Sequence, residues 1–375
     1  MKVAQLLHTL TPGDAISGEA NLLKNIFDNL KIANVIYASA VNENYLTAGV
    51  ARVLPIADNP DFLFFHYSIG GLFDHYKEAK SRVKVLIFHN LTPPSFFERY
   101  NLTLVSSLNE GLKTLKEAVE ISDVIICDSK FNLTELQEKV GASLSNKKIF
   151  VLGLAAPDTL LNAKNDFLTR IPRKFFSSKV RFLTVGRVAP NKNIEKVIEI
   201  FACYKHYVEG SSALAIVGTD TDCEIYRAEL ELAVNFFKVE DSVFFFGAVS
   251  DKVLKNLYKT ASVYLCASLH EGFCVPLLEA FSFDLPVVAF RNGAIPETLG
   301  GAGICTQNDD TESVFKALYL LTNDVETRNM VISKQRSRLK EFSREKFQEN
   351  FLEIWKQIAE PVSYTHLTLP TIYSV

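Results

Sequence analysis

The stretch "SLHEGFCVPLLEA", Ser268–Ala280, carries two carboxylates, Glu271 and Glu279, with no other charge between them. It follows the apolar run "SVYLCAS", which reads as a strand, and Pro276 stands where a helix would begin. The backbone N–H groups from Gly272 through Phe273 and Cys274 to Val275 would then converge at a helix N-terminus. Such a terminus suits a phosphate or sugar hydroxyls, and glycine lets a ligand come close to the backbone. The spacing predicts Glu279 in the first helical turn, where its charge suits the helix dipole. The pair also has a plainer reading, with Glu279 a helix-start charge and Glu271 a solvated loop charge.

A second pattern lies upstream. "VRFLTVGRVAPNKNIEKVIE" reads as a strand, then Gly186 and Arg187, then a turn at Pro190 that opens a helix. Arg187 and Lys192 stand close together beyond the strand. Two cations there can meet the oxygens of a diphosphate, arginine as a fork and lysine as a point charge. The alternative is two solvated loop cations. "TDTD" contains Asp220 and Asp222 in a D-x-D pattern that imitates a metal motif, but its place after an apolar strand reads as a turn. Neither G-x-G-x-x-G after the first strand nor G-x-x-x-x-G-K-[ST] occurs, which argues against nicotinamide and P-loop enzymes. The six cysteines form no C-x-x-C pair. They read as small buried apolar residues in a reducing compartment, not as a metal site or a disulfide frame.

These residues need elements to position them. "KVAQLLH", "FLFFHYS", "VKVLIFHN" and "DVIICDS" read as strands in the first half; "VRFLTVGR", "SALAIVG", "SVFFFGAV", "SVYLCAS" and "LPVVAF" do so in the second. Continuous apolar strands separated by amphipathic helical stretches imply parallel sheets covered on both faces. In such sheets ligands bind beyond the carboxyl ends of the strands, where Glu271 and Arg187 stand. The chain has 375 residues, comfortable for two α/β domains. The strand rhythm breaks between Ala156 and Lys179, which suggests domains at 1–165 and 166–342. A last helix, 343–361, carries Phe347, Phe351, Leu352 and Trp355 at helical spacing, a core-packing stripe. The final residues, 362–375, fit nothing before them; most resemble the translation of a sequencing adapter, and they are read as a non-native tail, with a natural disordered tail as the alternative.

The net charge of −3 argues against a nucleic-acid binder. The N-terminus lacks a signal-peptide pattern, and no apolar run approaches the roughly 20 residues of a membrane span. Both point to a cytoplasmic protein. "RIPRKFF", from Arg170 to Phe176, sets three cations beside two aromatics and suggests a weak peripheral membrane contact. The alternative is that Phe175 and Phe176 pack in an interdomain hinge.

Taken in order, "GRVAPNKN", "SLHEGFCVPLLEAFSFDLPVVAF" and "GAIPETLGGAGI" resemble the retaining, GT-B-fold glycosyltransferases of the group-one type, family four. In the first half "GDAISGEA", "FHYSIGG", "IFHNLTPPSFF" and "SDVIICDSKFN" look like a bacterial subgroup of that family. The resemblance implies two doubly wound, Rossmann-like domains facing across a cleft. The first binds an acceptor and the second a nucleotide-diphosphate sugar. It implies that Glu279 holds the ribose, that Glu271 faces the donor sugar, and that the backbone of Gly272–Val275 cradles sugar and phosphate. Arg187 and Lys192, beside Gly186, would neutralise the leaving diphosphate, with no metal or other cofactor. His89, ending its strand, would contact the donor sugar or the reaction centre, although a lone histidine there can equally be structural. Gly13, Asp14 and Gly18 match a strand–helix loop near the diphosphate and acceptor; Asp14 could bind an acceptor hydroxyl or cap the helix. Glu297 reads as a helix-start carboxylate, and His66 and His270 have no assigned chemistry. The implied reaction moves a hexosyl group to a saccharide or lipid-linked acceptor with retention, in surface polysaccharide synthesis. An epimerase of the same fold and a non-catalytic nucleotide-sugar-binding scaffold are the alternatives.

Overall fold

The computed structural model describes residues 1–48, 51–57, 59–157, 159–162, 171–308 and 310–363. Arg170 and most of the segment read as a non-native tail lie outside the described residues. The first sheet has strands β1 (Lys2–Leu10), β2 (Ala33–Val41), β3 (Ala51–Val53), β4 (Phe62–Tyr67), β5 (Val83–Phe88), β6 (Val124–Cys127) and β7 (Lys148–Val151). The second has β8 (Val180–Val185), β9 (Ser212–Val217), β10 (Val243–Gly247), β11 (Val263–Cys266), β12 (Val287–Phe290) and β13 (Ile304–Thr306).

The strand orders are 3-2-1-4-5-6-7 and 10-9-8-11-12-13, every pairing parallel. The central strands are apolar and buried along their length: all six residues of β4 and β9, and all four of β6, β11 and β12. Side chains on both faces of such strands need cover, and the helices between strands supply it. In both sheets the order reverses beside the first strand, between β1 and β4 and between β8 and β11. Crevices at such switch points are where open α/β sheets take ligands. The two doubly wound domains together make the GT-B architecture.

The chain changes domain earlier than residue 165. Leu152 packs in the core of the first domain, whereas Leu154 and Leu160 already pack in the second with Ile171 and Phe175. Apolar contact, rather than the loss of strand rhythm, marks the crossing at Gly153. The return crossing lies alongside, where the Ala156 N–H donates to the Phe342 carbonyl at 2.8 Å. The last helix, Arg344–Ser363, then lies on the first domain. Phe351 and Trp355 meet Phe27 and Phe64 edge-on or tilted, and Trp355 also meets Phe62 at a centroid distance of 4.7 Å.

Candidate functional site

In the second domain the residues singled out by their chemistry come together. Beyond β8, Gly186 and Arg187 lead into the short 3-10 turn Pro190–Lys192 and the helix Ile194–Tyr207. Beyond β11 the chain runs through Ser268–Glu271 into the helix Val275–Ser282. The two loops are tied to each other. The Leu269 N–H donates to the Asn191 carbonyl at 2.8 Å, the Asn191 amide donates to the His270 carbonyl, and Asn193 donates to the Ala267 carbonyl. One hollow is lined by Gly186, Arg187, Lys192, Cys266, Ser268 and Glu271. Within it the Lys192 ammonium donates to Glu271 at 2.6 Å. Burial works against the lysine charge, but the Glu271 carboxylate outweighs it and holds the Lys192 pKa above its usual value.

A third segment fixes the Glu271 loop from behind. The Ala294 N–H donates to the Glu271 carbonyl at 2.9 Å, and the Asn292 amide donates to the Ser268 carbonyl at 2.8 Å. Gly293 lies between them with φ +56, and a Cβ there would fall 2.4 Å from the Glu271 carbonyl oxygen. That close approach admits only glycine.

The helix at this loop starts at Val275, so Glu279 lies in its second turn and not in the first as the spacing suggested. Its partner is the Tyr258 hydroxyl, which donates at 2.6 Å. Burial raises the Glu279 carboxyl to about 7, against the pull of the tyrosine hydrogen bond. Of its first-turn N–H groups, that of Leu277 donates back to the Cys274 carbonyl at 3.1 Å, and Pro276 has none to offer. Cys274, its N-cap, holds φ 73 and ψ 65, a left-handed conformation uncommon for a residue with a side chain.

The first domain contributes a buried polar cluster that sequence reasoning left out. His66 is the last residue but one of β4, and His89 and Asp128 directly follow β5 and β6. The His89 Nδ1 donates to Asp128 at 2.8 Å, and its Nε2 lies 2.9 Å from the His66 Nδ1. The His66 Nε2 lies 3.0 Å from the Gln5 Oε1, and the Gln5 amide donates to the Ala20 carbonyl. These contacts set the direction of the chain. Gln5 offers its oxygen, so His66 donates from Nε2 and accepts at Nδ1, and His89 donates from both nitrogens as an imidazolium. Burial opposes that charge, yet Asp128, Glu19 and Asp14 raise His89 to about 9. Burial lowers the His66 pKa, which keeps that ring neutral. Glu19 stands 3.5 and 3.6 Å from the two rings, and neither of its buried oxygens has a hydrogen-bond partner among the described residues.

Glu19, His66 and His89 are close enough to suggest a metal site. The rings, however, are coplanar to 2° with centroids 5.2 Å apart. With the nitrogens 2.9 Å apart, that spacing leaves one ring radius at each end, so the two lone-pair directions lie along the line between the rings. This is the geometry of a linear N–H···N hydrogen bond. A shared ion would need the lone pairs to converge off that line.

His89 therefore departs from its expected place. Its side chain is 3 % exposed and turned into the first domain, because two buried carboxylates draw it there. Its carbonyl faces the other domain instead. A Cβ on Gly272 would come within 2.8 Å of the His89 carbonyl oxygen. Gly18 also departs, standing inside the helix Ala15–Asn29 rather than in the loop before it. Asp14 caps that helix, accepting from the Ser17 N–H at 2.8 Å and from its hydroxyl at 2.7 Å. Asp14 nonetheless lines a second cleft, of about 300 Å³, with His8, Thr11, Thr92, Phe97 and the second domain's Arg187. Gly13 precedes it with φ +81. Arg187 thus joins both hollows; its guanidinium lies 5.7 Å from the centre of the Phe97 ring.

The domains are docked around the Glu271 loop. Glu297 opens the short helix Ile295–Leu299, as expected, but its carboxylate crosses the cleft and accepts from the N–H groups of Lys130 and Phe131, at 2.9 and 3.2 Å. These begin the first-domain helix Lys130–Val140. Ser129, its N-cap, donates to the Gly272 carbonyl at 2.9 Å, and His270 pairs with Glu135 at 3.4 Å. His270 therefore has a docking role that the sequence did not suggest.

The remaining features are structural. Asp220 and Asp222 sit in the turn between β9 and the helix Glu224–Phe236, Asp222 with φ 68 and Asp220 facing Arg227 at 3.8 Å. Phe175 is buried against Phe244 and Phe246 inside the second domain, Phe176 is partly buried beside it, and Lys174 pairs with Asp241. The aromatics that motivated a membrane contact are thereby taken up by the core. No helix among the described residues is long and apolar enough to cross a membrane.

Residues 168–338 match the family model described as glycosyl transferases group 1. A curated relative, the O-antigen chain mannosyltransferase B of Escherichia coli, is 22% identical over 240 residues, which span 62% of this chain and 60% of the relative. Among solved structures, sucrose-phosphate synthase from Thermosynechococcus elongatus superposes with a TM-score of 0.74 at 15% identity, covering 96% of this chain and 99% of that one. Anabaena HepE, solved in complex with UDP-glucose, gives a TM-score of 0.71 at 16% identity over 97% of this chain and all of the other.

Proposed function

Starting from a chain whose second domain is a group 1 glycosyl transferase domain on a GT-B fold, we propose that it transfers a hexosyl group from a nucleotide-diphosphate sugar to a saccharide or lipid-linked acceptor. Retention of the anomeric configuration and a place in surface polysaccharide assembly belong to the same reading. The observation that carries it is the shared hollow of Arg187, Lys192 and Glu271 at the β8–β11 switch point.

Cleaving the bond between sugar and phosphate builds negative charge on the departing diphosphate. Arg187 and Lys192 are placed to meet that charge, and the N–H groups of Gly272–Val275 add to it at the helix start. The Lys192–Glu271 pair keeps the ammonium charged and aimed before the donor arrives. Glu271 then faces the sugar, and Glu279 takes the ribose hydroxyls. The acceptor enters through the cleft beside Gly13 and Asp14, where Arg187 is also present. Its hydroxyl attacks from the leaving-group face, and the departing phosphate takes its proton. His89 acts as a positioning residue, a buried charge whose carbonyl seats Gly272.

With two cations on the leaving group no bound metal is required. Turnover is expected to survive a chelator, and also the paired substitutions Asp220→Ala and Asp222→Ala; loss of activity on chelation with recovery in manganese would contradict this. The test of the whole reading is a donor screen by thermal shift, followed by turnover with the best donor and NMR of the product anomer. A donor at a hundred times its dissociation constant should stabilise the fold by roughly 2.7 kcal/mol. Binding without turnover or hydrolysis would favour the scaffold reading, and an inverted product would remove retention.

A further inference from the structure

We propose that this chain pairs with a second copy of itself through the outer face of the helix Glu224–Phe236, the two helices running antiparallel about a two-fold axis. The helix is apolar on two sides. On one side Tyr226, Leu230 and Val234 are buried in the core. On the other, Ile225, Ala228, Leu232 and Phe236 recur at i, i+3, i+7 and i+11, a spacing that gathers them on one face. That face meets solvent. Ile225 is 55 % exposed, Leu232 68 % and Phe236 79 %, and Ala228 is exposed between them. A surface helix needs one apolar stripe to hold it to its domain. A second stripe facing outward marks a surface that another molecule covers.

The charges around the stripe identify that molecule. Along the middle of the helix the flanking carboxylates are already neutralised. Glu229 pairs with Arg99 of the first domain at 2.6 Å and accepts from the Tyr100 hydroxyl at 2.9 Å, and Glu231 pairs with Arg227 at 2.8 Å. The two ends carry opposite charges that are not used in this way. Glu224 opens the helix, and its carboxylate accepts from the Asp222 N–H at 3.2 Å. Lys238 closes it: the Lys238 N–H donates to the Asn235 carbonyl at 3.1 Å, and the residue is exposed. Neither Glu224 nor Lys238 has an ion-pair partner among the described residues.

An antiparallel pairing joins these ends. Glu224 meets the second copy's Lys238, and the two-fold repeats the contact at the other end. Ile225 packs on the second copy's Phe236, and the small Ala228 leaves room for the second copy's Leu232. The helix dipoles are then opposed, which is favourable. A parallel pairing would instead set Glu224 against Glu224 and Lys238 against Lys238, and like charges across an interface are costly. Leu102 extends the face into the first domain. It is 73 % exposed, and Asn101 before it donates to the Asp222 carbonyl at 3.0 Å, so it stands at the end where the second copy's Phe236 arrives. A lipid surface fits this helix less well. Helices that lie on membranes carry lysine and arginine along the polar face, whereas this one has three glutamates and a single arginine, already paired.

The experiment is sedimentation velocity of the full chain across the micromolar range. The wild type should pass from monomer to dimer as concentration rises. A protein with both Leu232→Asp and Phe236→Asp should stay monomeric; both side chains are exposed, so the fold is kept, which circular dichroism checks. Glu224→Lys alone and Lys238→Glu alone should each weaken the dimer about tenfold or more, because each sets like charges opposite one another. Mixing these two proteins should restore a dimer made of one of each, since opposite charges then meet at both ends. A wild type that stays monomeric, a dimer that persists without Leu232 and Phe236, single charge reversals that leave the dimer unchanged, or a mixture that fails to pair would each overturn the proposal. So would flotation of a monomeric wild type with phosphatidylethanolamine–phosphatidylglycerol vesicles, lost on Leu232→Asp with Phe236→Asp, which would give the face to a lipid surface instead.

Discussion

Glu279 sits where burial raises its carboxyl to about 7, and that value makes its role testable. Ribose hydroxyls are best held by the carboxylate, which accepts from both; the neutral acid must donate one proton itself. Nucleoside diphosphate affinity should therefore weaken as pH falls through about 7, with the step absent in Glu279→Gln. The stability sign is the opposite. Between its usual pKa and about 7 the group is protonated in the fold and ionised in the unfolded chain, so its contribution to stability declines as pH rises through that window. Glu279→Gln should flatten that decline in thermal unfolding. Glu279→Ala should cost nucleotide binding roughly 1.5–3 kcal/mol by calorimetry, while Glu271→Ala should chiefly harm transfer. Equal affinity in wild type and Glu279→Ala would remove the ribose role. At this scale the sequence showed the cations and carboxylates of the second domain, because each stands in a short loop directly after an apolar strand. It did not show the Gln5–His66–His89–Asp128 chain. Those residues lie in or directly after four strands, and only the neighbouring positions of β1, β4, β5 and β6 in the sheet bring them within hydrogen-bond reach.

At the scale of elements, the helix Lys130–Val140 does two jobs. Ser129 caps its N-terminus from within, and Glu297 caps it from the other domain. A carboxylate at a helix N-terminus is favourable, by up to about 2 kcal/mol when partly buried. This contact exists only while the domains are docked, so Glu297→Ala should loosen the docking without unfolding either domain. The expected result is a larger radius of gyration by solution scattering and turnover lower by about tenfold. An unchanged radius together with unchanged turnover would show that Glu297 does not hold the cleft closed. Sequence reading found the buried central strands but not β2, β3, β7 or β13. β3, β7 and β13 lie at or near sheet edges, are short, and are only partly covered, and β2 is exposed at both ends. None of the four makes the unbroken apolar run that marked the others. The start of the helix at Glu279 was missed by part of a turn, because Val275 rather than Pro276 begins it.

For the whole molecule, the two crossings and the final helix bind the halves together. Trp355 packs against Phe27, Phe62 and Phe64 of the first domain. Trp355→Ala should destabilise that domain by roughly 3–5 kcal/mol, seen as an earlier first transition in denaturant, with the second domain's transition unmoved. A single unshifted transition would mean that the helix contributes little. The stripe of Phe347, Phe351 and Trp355 was legible because helical spacing puts them on one face. The domain changeover was less so, since loop composition does not reveal which core Leu154 and Leu160 will join.

The central claim is that Arg187 and Lys192 carry the charge of a leaving diphosphate. Its most direct test is the rate of nucleoside diphosphate release under saturating donor and acceptor, compared among wild type, Arg187→Ala and Lys192→Ala, with folding checked by circular dichroism. Each variant should lose turnover by about a hundredfold or more, because each removes a charge-assisted contact made strongest in the transition state. Rates near wild type in both folded variants would contradict the claim.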